Sequence, residues 1–177
     1  MVGIKPVTES LPVERDVMHP ILTVLYDYWT SLPAPGGLPE WGGALGPGFC
    51  LIDLPTNLLS ILAVVDADPD GDAFTYRFWG TERRMFQGNR PDPTGETIAA
   101  GLPEVTAQDV QAQYMEMRRA GVPMLLKNTW PLDNGLSAEC QTLRLPLSDG
   151  GHGIGKIVAA TAFLRHADEF RRMNGGG

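Results

Sequence analysis

The segment from Ser60 to Gln87, SILAVVDADPDGDAFTYRFWGTERRMFQ, constrains this chain more than any other. Leu58 to Asp66 is almost continuously apolar, the pattern of a strand buried on both faces near the centre of a sheet. Phe74, Tyr76 and Phe78 then alternate with Thr75, Arg77 and Trp79, the period of a second strand. Asp68-Pro69-Asp70-Gly71 supplies turn chemistry between the two. Gly80 ends the second strand, and Thr81 is placed to cap a helix running through Met85 and Phe86.

What flanks this hairpin gives it an order. From Pro20 the set Ile21, Leu22, Leu25, Tyr28, Trp29 and Leu32 recurs at three- and four-residue steps, one broad stripe on a helix stopped by Pro33, Pro35, Gly36 and Gly37. Asp53, with Pro55 behind it, is a cap for a short helix. Past the prolines of Asn89 to Thr94, the pair Thr106 and Asp109 resembles a capping box. Ala107, Val110, Tyr114 and Met117 form the buried stripe of the helix it opens, and Gly121 stops it. Val122–Leu132, Ser137–Leu147 and Ile154–Leu164 read as strands, with Asn134-Gly135 and Asp149-Gly150-Gly151 as hairpin turns. The expected organisation is an arm over 1–19, a single domain over 20–166 and a flexible tail over 167–177.

Composition narrows the function. At 177 residues and 43% hydrophobic, the chain buries a core without help from disulfides or metals. A net charge of −7 opposes the clustered basic footprint of nucleic-acid binding and adhesion to anionic membranes. Cys50 and Cys140 are isolated among apolar neighbours, as in a reduced compartment. No signal peptide is visible and no apolar run reaches the 18 or so residues that span a bilayer, so the cytoplasm is expected.

Short motifs offer little chemistry. Asp66, Asp68, Asp70 and Gly71 open like a calcium-binding EF-hand loop, but Arg77 stands where the closing Glu belongs. Gly150 to Lys156 imitates a phosphate-binding loop, yet Ile157 replaces the magnesium-binding Ser or Thr and a β-rich run follows. His19, His152 and His166 lie in no metal-ligand spacing and read as surface residues; residues 80–120 hold neither His nor Cys to ligate haem. No nucleophile motif accompanies Cys140. No catalytic residue, metal site or cofactor is specified.

The aromatic and Met group is the remaining candidate. Tyr76, Phe78, Met85, Phe86, Val110, Tyr114, Met117, Leu126, Trp130 and Cys140 make either plain core or the wall of a ligand pocket. Asn128 and Thr142 would be its orienting polar groups.

Several short motifs together resemble stand-alone bacterial PAS-like proteins. They are Tyr28-Trp29 before Leu38-Pro39, Asp53-Leu54-Pro55, the strand with Phe74, Tyr76 and Arg77 ahead of Gly80-Thr81, and Thr94-Gly95. Tyr114 with Gly121-Val122-Pro123, and Leu145-Pro146-Leu147-Ser148 before a turn, complete the set, so that the likeness covers roughly residues 22 to 164. The resemblance implies an α+β fold, a five-stranded antiparallel sheet crossed by helices on one face, with an N-terminal flanking helix. It implies a non-enzymatic regulator without its own output domain, one that senses a small apolar or mixed-polarity ligand or docks to a signalling protein. The alternatives are an interaction module with a filled core and a small enzyme with an enclosed pocket. The flavin-binding motif of some PAS proteins is absent. Both sheet faces require cover, and the stripe carrying Leu22, Leu25 and Trp29 leads to the expectation of a homodimer paired through the first helix.

Overall fold

The computed structural model describes residues 5–43, 46–151 and 153–174. In chain order the elements are strand β1 (Val7–Leu11), helix α1 (Pro20–Ser31), the short strands β2 (Trp41–Gly43) and β3 (Phe49–Cys50), and a 3-10 turn at Leu51–Asp53. Helix α2 (Thr56–Ser60) and the hairpin strands β4 (Leu62–Ala67) and β5 (Phe74–Trp79) follow, then a second 3-10 segment, Thr81–Phe86. Helices α3 (Ile98–Gly101) and α4 (Glu104–Ala120) cross to strands β6 (Met124–Pro131), β7 (Ser137–Leu147) and β8 (Lys156–Arg165), and α5 (Ala167–Met173) closes the fold.

The main sheet is antiparallel throughout and runs β1-β6-β7-β8-β4-β5. Two strands, a helical crossing and three strands are thus joined in one sheet, an α+β arrangement consistent with a PAS-like fold. Leu62 and Val64 of β4 face one layer, Ala63 and Val65 the other, all fully buried; both faces are covered although the strand lies one place in from the edge strand β5 rather than at the centre of the sheet. On the first side lie Leu22 and Leu25 of α1 and Leu58 of α2; on the second lie Ile98 of α3 and Tyr114 and Met117 of α4. No described helix is long and apolar enough to cross a membrane.

Four expectations need correction. The sheet has six strands, not five, because Val7–Leu11 of the expected arm pairs with β6 over Leu125–Thr129. Its side chains are largely exposed, so this edge strand has no apolar period to betray it; only its backbone is committed. Residues 167–173 of the expected flexible tail form α5, anchored by Phe170 at 2% exposure. A seven-residue helix with one anchor is too short to reveal a period, and 175–177 lie outside the described residues.

Leu22 and Leu25, expected at a dimer seam, lie in the chain's own core, and Trp29 is half-buried beside them. The two leucines are 0% exposed against the chain's own sheet, and Trp29 Nε1 donates to Pro146 O at 2.9 Å. The helix folds back because β7 and β8 present a matching apolar face, including Leu143, Leu145, Val158 and Ala160. Finally, caps differ. Helix α4 starts at Glu104 with Pro103 as its cap, leaving Thr106 inside the first turn, and Gly80 rather than Thr81 is the cap of the 3-10 segment. A Cβ on Gly80 would lie 2.3 Å from Ser60 O, so the turn admits glycine alone. Asp53 ends its 3-10 turn and accepts from Tyr28 Oη at 2.9 Å instead of capping α2.

Candidate functional site

Between α4 and the sheet lies a cavity of about 70 Å³. The sheet supplies its floor from adjacent strands: Asn128 and Trp130 of β6, Cys140, Thr142 and Arg144 of β7, Ala159 and Thr161 of β8, and Tyr76 and Trp79 of β5. In β6, β7 and β8 these side chains share a face because alternate residues of a strand point the same way, opposite to the Leu143 and Leu145 that meet α1; in β5 the register shift opposite Val64 and Val65 leaves Arg77 as an extra residue, which brings Tyr76 and Trp79 to this face and turns Phe78 to the other. Tyr114, Val110 and Leu102 roof the space, and Arg83 and Phe86 wall it from the 3-10 segment. Pro6 and Thr8 at the N-terminal strand, with Thr106, Asp109 and Gln113 of α4, form its mouth. Lys5 Nζ meets Asp109 Oδ1 at 2.7 Å and ties those two sides together.

A line of polar groups crosses the floor. Thr8 Oγ1 donates to Asn128 Oδ1 at 2.9 Å, and Asn128 Nδ2 donates to Thr142 Oγ1 at 3.4 Å. Thr142 and Thr161 hydroxyls share a bond of 3.0 Å, and Arg83 Nη1 donates to Thr161 Oγ1 at 3.1 Å and to Ile61 O at 3.2 Å. Each threonine oxygen therefore accepts from a nitrogen, their mutual bond uses one hydroxyl proton, and the other remains free to donate.

The electrostatics are one-sided. Arg144 is only 5% exposed, its guanidinium sits 4.3 Å over the Tyr114 ring, and its Nε and Nη1 have no hydrogen-bond partner. Arg83 is half-buried along its stem, but its Nε is sealed and unpaired, with the guanidinium 4.6 Å over Trp79. Burial pulls both guanidinium pKa values down, and neither has a carboxylate partner among the described residues. Both stay charged, since arginine is not deprotonated in proteins. Burial raises the Tyr76 phenol well above its ordinary value, with neighbouring Tyr114 adding to the effect. Burial likewise pushes the Cys140 thiol up to about 12, against the opposing pull of Trp130 and Asn128. A thiol held protonated in this way is a poor nucleophile.

Of the pocket residues expected from sequence, Tyr76, Phe86, Val110, Tyr114, Asn128, Trp130, Cys140 and Thr142 line this one cavity. Phe78 does not: it packs in the layer beneath α1. Met117 belongs to the filled core under α4, and Met85 to a separate cluster with Leu132, Ala138 and Phe170. Leu126 is buried in register with Thr142 but lies outside the lining. Arg83, Arg144, Trp79 and Thr161 were not anticipated. The available signal was Arg144 itself, a charge in the polar parity of a strand whose two faces both need cover.

The other motifs are engaged elsewhere. Asp66 is held by Arg77 and by Lys156, whose Nζ also meets Asp149 Oδ2 at 3.1 Å. Burial alone would raise the Asp66 pKa, yet these two cations outweigh it and bring it below the ordinary value. The lysine of the glycine-rich loop is thus turned onto carboxylates. His19 is half-buried and caps α1, accepting from Ile21 N through Nδ1 at 3.2 Å, which corrects its surface reading. His166 turns the chain into α5 with a φ of 56°, while His152 lies outside the described residues. Among the described residues no group of three or more His, Cys, Asp or Glu is arranged to hold a metal.

No family model matches the chain, and no curated protein matches it. Among solved structures the chain is similar to one described as an RNA-binding light-oxygen-voltage receptor, at 10% identity and a TM-score of 0.38. The match covers 98% of this chain and 42% of that one, so the chain spans less than half of that protein's length.

Proposed function

We propose that this domain is a non-catalytic, PAS-like sensory module that binds a small molecule in the cavity beneath α4. One observation carries the reading. Five buried polar atoms without partners, on Trp79, Arg83, Trp130 and Arg144, all belong to residues that line the same cavity. Buried polar groups are almost always satisfied, so their convergence marks a place for a ligand rather than a filled core. Catalysis finds no support there: Cys140 is held as a protonated thiol, and the lining acid, Asp109, is taken up by Lys5.

The cavity is also placed to pass on its state. Strand β1 forms part of the mouth. At the other end Phe86 and Trp130, both lining residues, pack against Phe170 of α5 with ring centroids 5.5 and 5.3 Å apart. A ligand touching those walls biases the docking of β1 and α5, the elements from which a partner protein would read it.

Native mass spectrometry of freshly purified protein, joined to amide exchange before and after stripping, tests the proposal. The expected result is a retained small molecule and slower exchange in β1 and α5 when it is bound. Protein that carries no small molecule, and whose exchange is unaltered by any candidate ligand, would favour a docking module with no sensing role.

A further inference from the structure

We infer that the cavity's ligand is a small carboxylate, gripped between Arg83 and Arg144. The inference rests on the sensing role proposed above and adds the chemistry of what is sensed. All five unpaired atoms around the cavity are donors; the one other buried unpaired atom among the described residues, Gln87 Oε1, is an acceptor outside the lining. The spare threonine hydroxyl proton adds a further donor. Such a site asks for an occupant rich in acceptors.

Charge points the same way. Two guanidinium groups face the cavity, and Asp109 is the single acid among its lining residues, already bonded to Lys5 at the mouth. A buried cation without a counter-charge is costly, and an anion that enters supplies the missing partner. Water could satisfy the donors but would leave the charge unbalanced. The planar guanidinium of arginine matches a carboxylate in charge and hydrogen bonding, and two of the three nitrogens of Arg144, Nε and Nη1, are unpaired donors. The size fits: about 70 Å³ holds a handful of heavy atoms, well short of the roughly 150 Å³ that accommodates benzene. Aromatic walls from Phe86, Trp130 and Tyr114 suit a short apolar body behind the carboxylate.

The test uses the full chain, stripped of any retained ligand, and titrates it calorimetrically with sodium propionate, propionamide, inorganic phosphate and chloride at matched ionic strength. Propionate is expected to bind and to raise the melting temperature, with the isosteric amide weaker by about tenfold or more. Arg144→Met is expected to lose propionate by a similar factor while melting no lower than the parent, because it removes an unpaired charge. Arg83→Met repeats the measurement should Arg144→Met fail to fold. Equal binding of propionate and propionamide would overturn the carboxylate while leaving a sensing pocket in place. Phosphate or chloride binding as well as propionate would overturn it in favour of simple charge neutralisation. No binding by propionate together with a neutral molecule retained in native spectra would overturn it alone; no binding and nothing retained would remove the sensing role as well.

Discussion

At the level of single residues, the aromatic wall was legible and the arginines were not. Tyr76, Phe86, Tyr114 and Trp130 announce themselves because large rings at strand and helix periods have to be buried somewhere. Arg144 alternates with Leu143 and Leu145, the ordinary pattern of a strand with one wet face, and Arg83 stands beside Arg84 in a charged run. Only the tertiary position of α4 turns that wet face inward. Asp66 opens a spacing like that of a metal loop but without its closing Glu, and its carboxylate is divided between Arg77 and Lys156. Its pKa is lower in the folded state than in the unfolded one, so its contribution is present above the unfolded carboxylate range and disappears as pH falls through the folded value. Asp66→Asn is therefore expected to cost about 1 kcal/mol at neutral pH, a figure suited to a pair partly open to water. That deficit should shrink as pH falls below the ordinary carboxylate range, as the parent carboxylate also protonates. Urea unfolding of both proteins across pH 7 to pH 3 checks the sign; a deficit that persists or grows in acid would contradict it.

Among the elements, those with a strong period were readable and those held by one contact were not. Ser137–Leu147 agrees with the sequence boundaries, and α1 ends within one residue of its stripe. The run Leu58–Asp66 was mistaken for a single strand because a short buried helix and a buried strand are equally apolar; it divides at Ile61 into α2 and β4. Strand β1 and helix α5 lack the length or the burial to leave a pattern. Helix α1 carries the clearest energetic consequence. Leu25 is fully buried against the sheet, so Leu25→Ala is expected to destabilise the domain by about 2–5 kcal/mol. Chemical unfolding measures it, and a loss below about 1 kcal/mol would mean that α1 is docked only loosely. Exposed Val24, on the same helix, should tolerate Val24→Ala with little change.

For the whole molecule, the apolar residues at both parities of the strands announced that both faces of the sheet want cover but not who covers them. The apolar stripe of α1 was wide enough for a second copy; the structure spends it on β7 and β8 of the same chain, and the helix-paired homodimer loses the surface that motivated it. Light scattering of the full chain at high concentration is expected to return the mass of one chain. A stable dimer that survives Trp29→Ala would point to a different surface, since this ring's contacts are internal.

The pairing of β1 with β6 also has a consequence for how the protein is made. Thr8 bonds Asn128 across 120 positions of sequence, so β1 leaves the ribosome well before its partner and waits for it. At about 5–20 residues per second that wait is on the order of 6–24 s. Leu22 and Leu25 wait longer still, because the β8 residues beneath them emerge later in the chain. A strand synthesised ahead of the rest of this sheet is thus seated late, and its Thr8 lines the cavity. On the proposed sensing role, a small molecule present during synthesis would meet an unfinished chamber before β1 folds down beside it.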